Sequence, residues 1–182
     1  MDGVREATAF ERLYREHWPT VHRYAARRVG PDAATDVAAA TFATAWRRAE
    51  ADGDLPTVPW LIATARNHVL NLVRGNRRRR ALAERVAATV TTVAVDAGGG
   101  PDVTEASREL LDRVRRTLGD LDAEIVFLTA WEELTAPEIA EVVGLRPDAV
   151  RARLSRARRR LRAELSPDLP TDLPQEGPPD AH

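Results

Sequence analysis

The sequence predicts an all-α protein in which two small helical domains are joined by a flexible linker. Apolar residues recur at helical spacing in two long segments, and neither segment shows the alternation typical of a β-strand. Between them, residues 88–102 lose the helical period and end in three glycines and a proline. Glycine is costly to order and proline cannot continue a helix, so this stretch favours a connector. The predicted division is a first domain at 1–80, a linker at 81–102, a second domain at 103–165 and a disordered, acidic, proline-rich tail at 166–182.

The first two helices are predicted from apolar spacing and from the residues that interrupt it. Phe10 and Tyr14 fall on one face of the first helix, and Pro19 is expected to kink or restart it. A break at residues 30–32 follows, and Asp32 is predicted to cap the next helix.

The remaining helices are delimited by loops and turn residues. Residues 51–58 are predicted to form a loop, and Pro59 suits the first turn of a third helix that ends before Gly75. The second domain is expected to begin with helices around 110–118 and 125–128, for a total of seven or eight helices.

Composition excludes several classes of protein. The chain has 182 residues, of which 43% are hydrophobic but only 5% aromatic, so small cores of Ala, Leu and Val are expected. There is no cysteine, and the four histidines lack metal-ligand spacing, which leaves no catalytic site, no metal site and no cofactor to predict. No signal peptide or membrane segment is predicted, so a soluble cytoplasmic protein is expected.

The charge is unevenly distributed, although the net charge is only −1. Residues 66–80 contain six arginines and no acid, and residues 146–162 contain eight arginines against one acid, Asp148. Concentrated basic surface is the electrostatic feature expected of a nucleic-acid-binding protein. Each cluster by itself is also compatible with an ordinary solvated helix face.

The most specific local pattern lies at residues 135–161 and predicts a helix-turn-helix. Thr135 and Glu138 fit a capping box at the start of a short helix. Gly144 can adopt the left-handed conformation that ends this helix, and Pro147 can begin the next one. A short helix, a glycine turn and a basic second helix are the parts of this DNA-binding motif.

The second helix of this motif has two distinct faces. One face is apolar and is predicted to pack on the domain core: Val150, Leu154, Ala157 and Leu161. The opposite side is rich in arginine, which can pair with guanine in the major groove or hold phosphates. The residues predicted to contact DNA are Arg151, Ala152, Ser155, Arg156, Arg158 and Arg159. The alternative is an amphipathic surface helix with solvated arginines.

The stretch EIAEVVGLRPDAVRARLSRARRRL (138–161) resembles region 4 of extracytoplasmic-function sigma factors, whose helix-turn-helix binds the −35 element of promoters. Many positions match the pattern of that family, including Ile139, Gly144, Val150 and Arg156. The departures from it are Arg146, Asp148, Ala149, Arg151 and Ala152. The loss of the family's Ser at 146 and Thr at 149 is expected to weaken the start of the recognition helix, although Asp148 complements the helix dipole. The five departures together leave the identity of the bases open.

Residues 36–48 (DVAAATFATAWRR) resemble sigma region 2.2, the helix that docks on the polymerase clamp in this family. The resemblance implies core RNA polymerase contacts from Asp36, Thr41, Phe42 and Trp46. Ala40 replaces a glutamate that is common in the family, so one polar contact is expected to be absent.

Residues 59–80 resemble sigma regions 2.3 and 2.4, which capture one strand of the −10 element. The resemblance implies −10 contacts from Trp60, Arg66, Asn67, Asn71 and Arg74, and a pocket for a flipped base beside the loop at 52–58. These residue types fit that role, because Asn can bond a base edge and Arg can hold phosphates. Trp60 is also compatible with a core position.

Taken together, the three stretches imply a sigma factor whose partners are core RNA polymerase, promoter DNA and, as is common in this family, an anti-sigma protein. The alternative is a helix-turn-helix regulator that binds an operator without delivering it to polymerase. That alternative accounts for residues 120–165 but leaves the matches at 36–48 and 59–80 unexplained. An enzyme is the third class, and no clustered catalytic groups support it.

Overall fold

The computed structural model describes residues 2–86 and 105–165, and every regular element in these two ranges is an α-helix. The seven helices of the described residues are α1 (Asp2–Val29), α2 (Pro31–Asp52), α3 (Val58–Val86), α4 (Glu105–Leu118), α5 (Asp120–Ala130), α6 (Ala136–Val143) and α7 (Pro147–Leu165). The predicted all-α fold class is confirmed. Most of the predicted linker and the whole predicted tail lie outside the described residues.

A single glycine separates α1 from α2. Gly30 has φ of 83°, donates its N–H to the carbonyl of Ala26 at 3.0 Å, and accepts the first bond of α2 from Ala34 at 3.1 Å. The predicted cap at Asp32 was wrong, because Gly30 is the N-cap, Pro31 is the first helical residue and Asp32 lies in the first turn. Pro19 lies inside α1, which does not restart there.

The helix α3 is longer than predicted. Its start agrees with the sequence, since Pro59 lies in its first turn and residues 53–57 form the loop before it. It does not end before Gly75 but continues through that glycine to Val86. One glycine costs a helix about 1 kcal/mol, which the good helix formers on either side offset, so it does not by itself end the helix.

Alanine dominates the contacts of α2 with its neighbours. Ala34, Ala38 and Ala45 have no exposed surface. They face the fully buried residues Tyr24, Leu61 and Ile62 of the same core. Small side chains at a contact allow helix axes to approach closely, so α1, α2 and α3 form a tight three-helix bundle around an alanine-rich seam.

The second group of helices packs on this bundle. Helices α4, α5 and α7 surround Phe127 and Ala157. Ile139, Ala140 and Val142 of α6 belong to one buried cluster with Val69 of α3. Val142 is buried, and its neighbour Val143 is only partly buried. Within the ranges that the structure describes, no helix is both long and apolar enough to cross a membrane.

Candidate nucleic-acid interface

The turn between α6 and α7 has the geometry that the sequence predicts. The carboxylate of Glu138 accepts hydrogen bonds from the backbone N–H of Thr135 at 2.8 Å and from its hydroxyl at 2.6 Å. These bonds complete a capping box at the start of α6 and lower the pKa of Glu138. Gly144 then ends α6 with φ of 72°, and the N–H of Leu145 bonds the carbonyl of Ala140 at 3.0 Å.

The left-handed backbone at Gly144 leads to a first prediction. Gly144→Ala should destabilise the protein by about 1–2 kcal/mol, because a Cβ disfavours this conformation. An added Cβ would meet no atom within 4 Å, so the cost comes from the backbone alone. Gly144→Asn should lose less stability, since Asn adopts the left-handed conformation more readily than Ala does. Urea denaturation of both variants measures the difference, and equal stabilities of Ala and Asn variants would contradict this account of the turn.

The recognition helix α7 presents one buried face and one exposed face. Val150 is buried, and Leu154 packs against the cluster that also includes residues of the α1–α3 bundle. Ala157 is buried, and Leu161 packs against the separate cluster of α4, α5 and α7, so all four residues face inward as predicted. The six residues predicted to contact DNA are all exposed: Arg151, Ala152, Ser155, Arg156, Arg158 and Arg159. Their exposure satisfies the first requirement for groove binding, while the DNA contacts themselves stay predictions.

The arginines of α7 are not equivalent. Arg153 pairs with Asp122 of α5 at 2.6 Å, which anchors α7 to the helix behind it. Arg151 pairs with Asp148 one turn earlier. Arg156 and Arg159 form no ion pair with another described residue and project from the outer side of the helix. Arg158, Arg160 and Arg162 are likewise exposed, so the exposed arginines without an ion pair to a described residue extend from the middle of α7 towards its end.

A second exposed face lies on α3. Four of the five residues predicted to contact the −10 element fall within about 60° of one another on this helix: Trp60, Asn67, Asn71 and Arg74. Arg66 is partly buried and lies outside that sector, on the side that faces α1. The structure therefore brings four of the five residues together and separates Arg66 from them.

Trp60 contacts both the hydrophobic core and the side chain of an arginine near the surface. Its ring is partly buried against the hydrophobic core. The guanidinium of Arg48 lies over the same ring, 4.9 Å from the centroid, a cation–π contact that Trp60 makes at the edge of the loop at 53–57. Sequence reasoning missed Arg48, because its partner is twelve positions away in another helix.

The four residues predicted to contact polymerase differ in exposure. Asp36 is exposed on α2, and Trp46 is partly buried with its ring 4.9 Å from Phe10 in an edge-to-face contact. Thr41 is fully buried and donates its hydroxyl to the carbonyl of Val37 at 2.8 Å. Phe42 is only 3% exposed. Thr41 and Phe42 therefore support the helix from inside, since a buried side chain cannot touch a partner protein.

Aromatic side chains of α1 adjoin these residues, and sequence periodicity placed one of them, Tyr14, on the apolar face of the first helix. Tyr14 is 38% exposed and contacts Phe42 with ring centroids 4.9 Å apart. Trp18 is partly buried and packs against Tyr14 at 5.0 Å. An amphipathic helix leaves such rings at the edge of its apolar stripe, which periodicity alone does not distinguish from the centre.

Two family models match the chain. The model described as sigma-70 region 2 matches residues 13–79, which correspond to the α1–α3 bundle. The model described as sigma-70 region 4 matches residues 108–161, which correspond to the helices that carry the helix-turn-helix.

Curated relatives extend the match over most of the chain. RNA polymerase sigma factor CnrH of Cupriavidus metallidurans is 37% identical over 142 residues, which cover 71% of this chain and 72% of the relative. RNA polymerase sigma factor CarQ of Myxococcus xanthus is 33% identical over 168 residues, covering 90% and 92%. ECF RNA polymerase sigma factor BldN of Streptomyces coelicolor is 35% identical over 169 residues, covering 89% of this chain and 62% of the relative.

Solved structures agree with the sequence matches. CnrH in complex with the cytosolic domain of CnrY is 30% identical and superposes with a TM-score of 0.57, covering 90% of this chain and 91% of that one. Sigma factor RpoE in complex with the anti-sigma factor NepR from Bartonella quintana gives a TM-score of 0.59 at 21% identity, covering 88% and 99%, and supports the fold alone. With both domains matched in order, the chain belongs to the sigma-70 family of RNA polymerase sigma factors, in its extracytoplasmic-function group.

Proposed function

We propose that this chain binds core RNA polymerase and directs promoter-specific initiation of transcription by recognising the −10 and −35 elements. The observation that carries the proposal is the presence, in one chain, of the region 2 bundle and the region 4 helix-turn-helix. The phosphodiester chemistry belongs to the polymerase, so the chain acts by positioning DNA and needs no catalytic group or cofactor of its own.

Recognition of the −35 element is assigned to the outer face of α7. Helix-turn-helix proteins place this helix in the major groove, where arginine can bond guanine in bidentate fashion. Arg156 and Arg159 supply base or phosphate contacts, and Ala152 and Ser155 allow close approach of the helix to the base edges. Arg151 and Arg158 lie at the edges of this face and supply phosphate contacts.

Recognition of the −10 element is assigned to the outer face of α3 and to the loop before it. Asn67 and Asn71 can bond the edge of an unpaired base, and Arg74 can hold the backbone beside it. The Nη1 of Arg74 donates to the Oδ1 of Asn71 at 3.4 Å, which orients the amide. Arg66 contributes from the side of the helix, where it attracts phosphates over a longer distance.

Polymerase binding is assigned to α2 and the adjoining edge of α1. Asp36 supplies an exposed carboxylate and Trp46 a partly exposed ring on the same helix, and Thr41 and Phe42 hold that helix in place from the core. Aromatic residues such as Trp46 are enriched at the core of interfaces, and Asp36, ten residues or about 15 Å away along α2, suits the polar rim.

An anti-sigma protein is a proposed regulatory partner. CnrH was solved with the cytosolic domain of CnrY, and RpoE from Bartonella quintana with the anti-sigma factor NepR. By analogy, a partner that covers the polymerase-binding face of this chain would keep it inactive. Its place of action is proposed to be the cytoplasm, where core polymerase works.

Reconstitution with core RNA polymerase tests the proposal. The purified chain should co-elute with core enzyme and support transcription from a promoter library, with a common sequence motif among the active templates. The alternative, an operator-binding regulator, is supported if the chain binds DNA specifically but neither co-elutes with core enzyme nor supports initiation.

The exposed carboxylate on α2 leads to a second prediction. Asp36→Ala should weaken binding to core polymerase by about 1 kcal/mol, or roughly fivefold in Kd, because it removes a charge without disturbing packing. Glu109→Ala, which removes an exposed carboxylate from α4, is the matched control and should bind as the unmodified chain does. Fluorescence anisotropy with labelled core enzyme measures both, and equal affinities would remove Asp36 from the interface.

A further inference from the structure

The outer face of the recognition helix begins with an acid. Asp148 lies in the first turn of α7, and its side chain is 91% exposed. At about 100° per residue it falls within about 40° of Ala152, Ser155 and Arg159 on the helix surface. The face proposed to enter the major groove therefore starts with a group that the phosphates of DNA repel.

The helix dipole alone does not explain this position. A carboxylate is favourable in the first turn of a helix, because the N-terminal end of the dipole is positive. Any side of that turn can supply it, whereas Asp148 lies on the side that faces the groove. In helix-turn-helix proteins the first residues of the recognition helix contact base edges. The effect of Asp148 on binding should therefore depend on which base lies opposite its carboxylate.

Arg151 holds this carboxylate in place and leaves half of it free. The Nη1 of Arg151 donates to the Oδ1 of Asp148, three residues earlier on the same helix. The Oδ2 of Asp148 makes no hydrogen bond with any residue that the structure describes. The Arg151 side chain is 58% exposed, so its remaining N–H groups can reach a phosphate. Its positive charge also offsets part of the repulsion between the carboxylate and the DNA backbone.

The free oxygen limits which bases can lie opposite it. An ionised carboxylate only accepts hydrogen bonds. In the major groove guanine presents the acceptors N7 and O6, and thymine presents the acceptor O4, so both repel it. Adenine presents its N6 amino group beside the acceptor N7, whereas cytosine presents its N4 amino group with no acceptor next to it. Cytosine is therefore the base edge that the carboxylate fits best.

We propose that Asp148 is a specificity-determining residue that selects cytosine at one position of the −35 element, and that Arg151 is its positioning residue. The inference rests on the proposed promoter function and adds a base identity to it. Asp148 lies about 16 Å from Arg159 along α7, so this cytosine lies at the end of the element that meets the start of the helix. The small side chain of Ala152, one turn further on, leaves room for the helix to approach the bases.

The carboxylate makes binding more selective and not tighter. Specificity is a difference between affinities, and repulsion from the wrong sequence contributes to it as attraction to the right one does. Asp148 lowers the affinity for most sequences, and it lowers the affinity least where the cytosine amino group can donate to it. Removal of the charge should therefore weaken discrimination more than it weakens binding.

Selection from a promoter library tests this assignment. The −35 region of an active template is randomised, and the templates bound by the holoenzyme of core polymerase and the full chain are sequenced. The unmodified chain should enrich cytosine at one position. Asp148→Asn keeps the size of the side chain and supplies an amide that pairs with N6 and N7 of adenine. At that position the preference should change from cytosine to adenine, with the preference for cytosine falling at least about fivefold.

Two further variants separate a base contact from a structural effect. Asp112→Asn removes a carboxylate that pairs with Arg115 three residues later on α4, and it should select the same motif as the unmodified chain. Arg151→Ala leaves the carboxylate of Asp148 in place but no longer holds it, so cytosine enrichment should fall without a change to adenine. A loss of helix stability would weaken the preference at every position, whereas a lost base contact changes one.

The outcomes distinguish this inference from the proposed function. Cytosine enrichment that persists in Asp148→Asn, or a motif of the unmodified chain that lacks cytosine, would overturn the role of Asp148 and leave the promoter function standing. Full cytosine enrichment in Arg151→Ala would overturn the positioning role of Arg151. Absence of any −35 motif for the unmodified holoenzyme would overturn both the inference and −35 recognition. If the chain does not bind core polymerase, the proposed function is overturned, and the same selection with the full chain alone decides the base preference.

Discussion

Replacing Phe42 with alanine is expected to destabilise the region 2 bundle by about 3–5 kcal/mol, the usual cost of deleting a buried ring. The ring is almost fully buried and lies among aromatic partners, with centroids 4.9 Å from Tyr14 and 5.8 Å from Trp18. The cavity would lie between α1 and α2, where the alanine-rich seam offers few side chains that could move to fill it. Thermal or urea denaturation followed by circular dichroism measures the loss.

This variant also decides how Phe42 contributes to polymerase binding. The loss of binding should track the loss of folded protein, since Phe42 acts from the core. Arg47→Ala, at an exposed position of the same helix, is the stability control and should unfold as the unmodified chain does. A Phe42→Ala protein of normal stability that failed to bind polymerase would instead place this ring in the interface.

Replacing Arg156 and Arg159 together with alanine is expected to cause the largest loss of promoter binding. Each lost bidentate base contact costs about 1–3 kcal/mol, so the pair corresponds to about 2–6 kcal/mol, or roughly 30-fold to more than 10⁴-fold in Kd. Both side chains are exposed on the outer face of α7 and form no ion pair with another described residue. Competition binding of the holoenzyme to a complete promoter measures the change.

Two control variants separate the loss of DNA contacts from the loss of a charge elsewhere and from the loss of stability. Arg12→Ala removes an exposed cation from α1 and should leave promoter binding unchanged. Arg153→Ala should reduce the stability of region 4, because Arg153 pairs with the partly buried Asp122. A double variant with full promoter affinity would show that α7 does not contact the −35 element through its middle turns.

The helix-turn-helix could be predicted almost completely from sequence, because its determinants are local. The capping box at Thr135, the glycine at 144 and the proline at 147 each act through the backbone within one turn of their own position. The division of α7 into an inner and an outer face follows equally from the helical period. The parts that depend on distant residues are the inward orientation of Arg153 and the packing of Ile139 and Val142 in one cluster with α3.

The errors in region 2 arose where a local preference or a family pattern did not decide the structure. A cap was predicted at Asp32 because aspartate is a good N-cap in general. The helix instead begins two residues earlier, since Gly30 can adopt the positive φ found at its N-cap. The end of α3 was predicted at Gly75 from a local preference that the rest of the helix overrides. Thr41 and Phe42 were predicted from the resemblance to region 2.2, and such a resemblance does not say whether a residue serves contact with a partner or packing in the core.

The ion pairs between the two domains could not be predicted at all. Arg28 of α1 pairs with Glu124 of α5, although the two are 96 positions apart, and in a chain with 27 basic and 28 acidic residues no spacing rule identifies which charges meet. Charge patterning along the sequence indicated only the two arginine clusters. The pairing depends on how the two domains pack, which is a property of the tertiary structure.

The alanine-rich seam of α2 limits how far the helices of region 2 can move relative to one another. Helices that touch through fully buried methyl groups are close together and have little freedom to slide or tilt. A larger side chain at Ala34, Ala38 or Ala45 would overpack the contact at a cost of about 1–3 kcal/mol. The exposed face of α2 and that of α3 are thereby kept at a constant separation. The bundle can therefore act as a rigid spacer between the face of α2 proposed to bind polymerase and the face of α3 on which Asn67 and Asn71 are proposed to contact the −10 element.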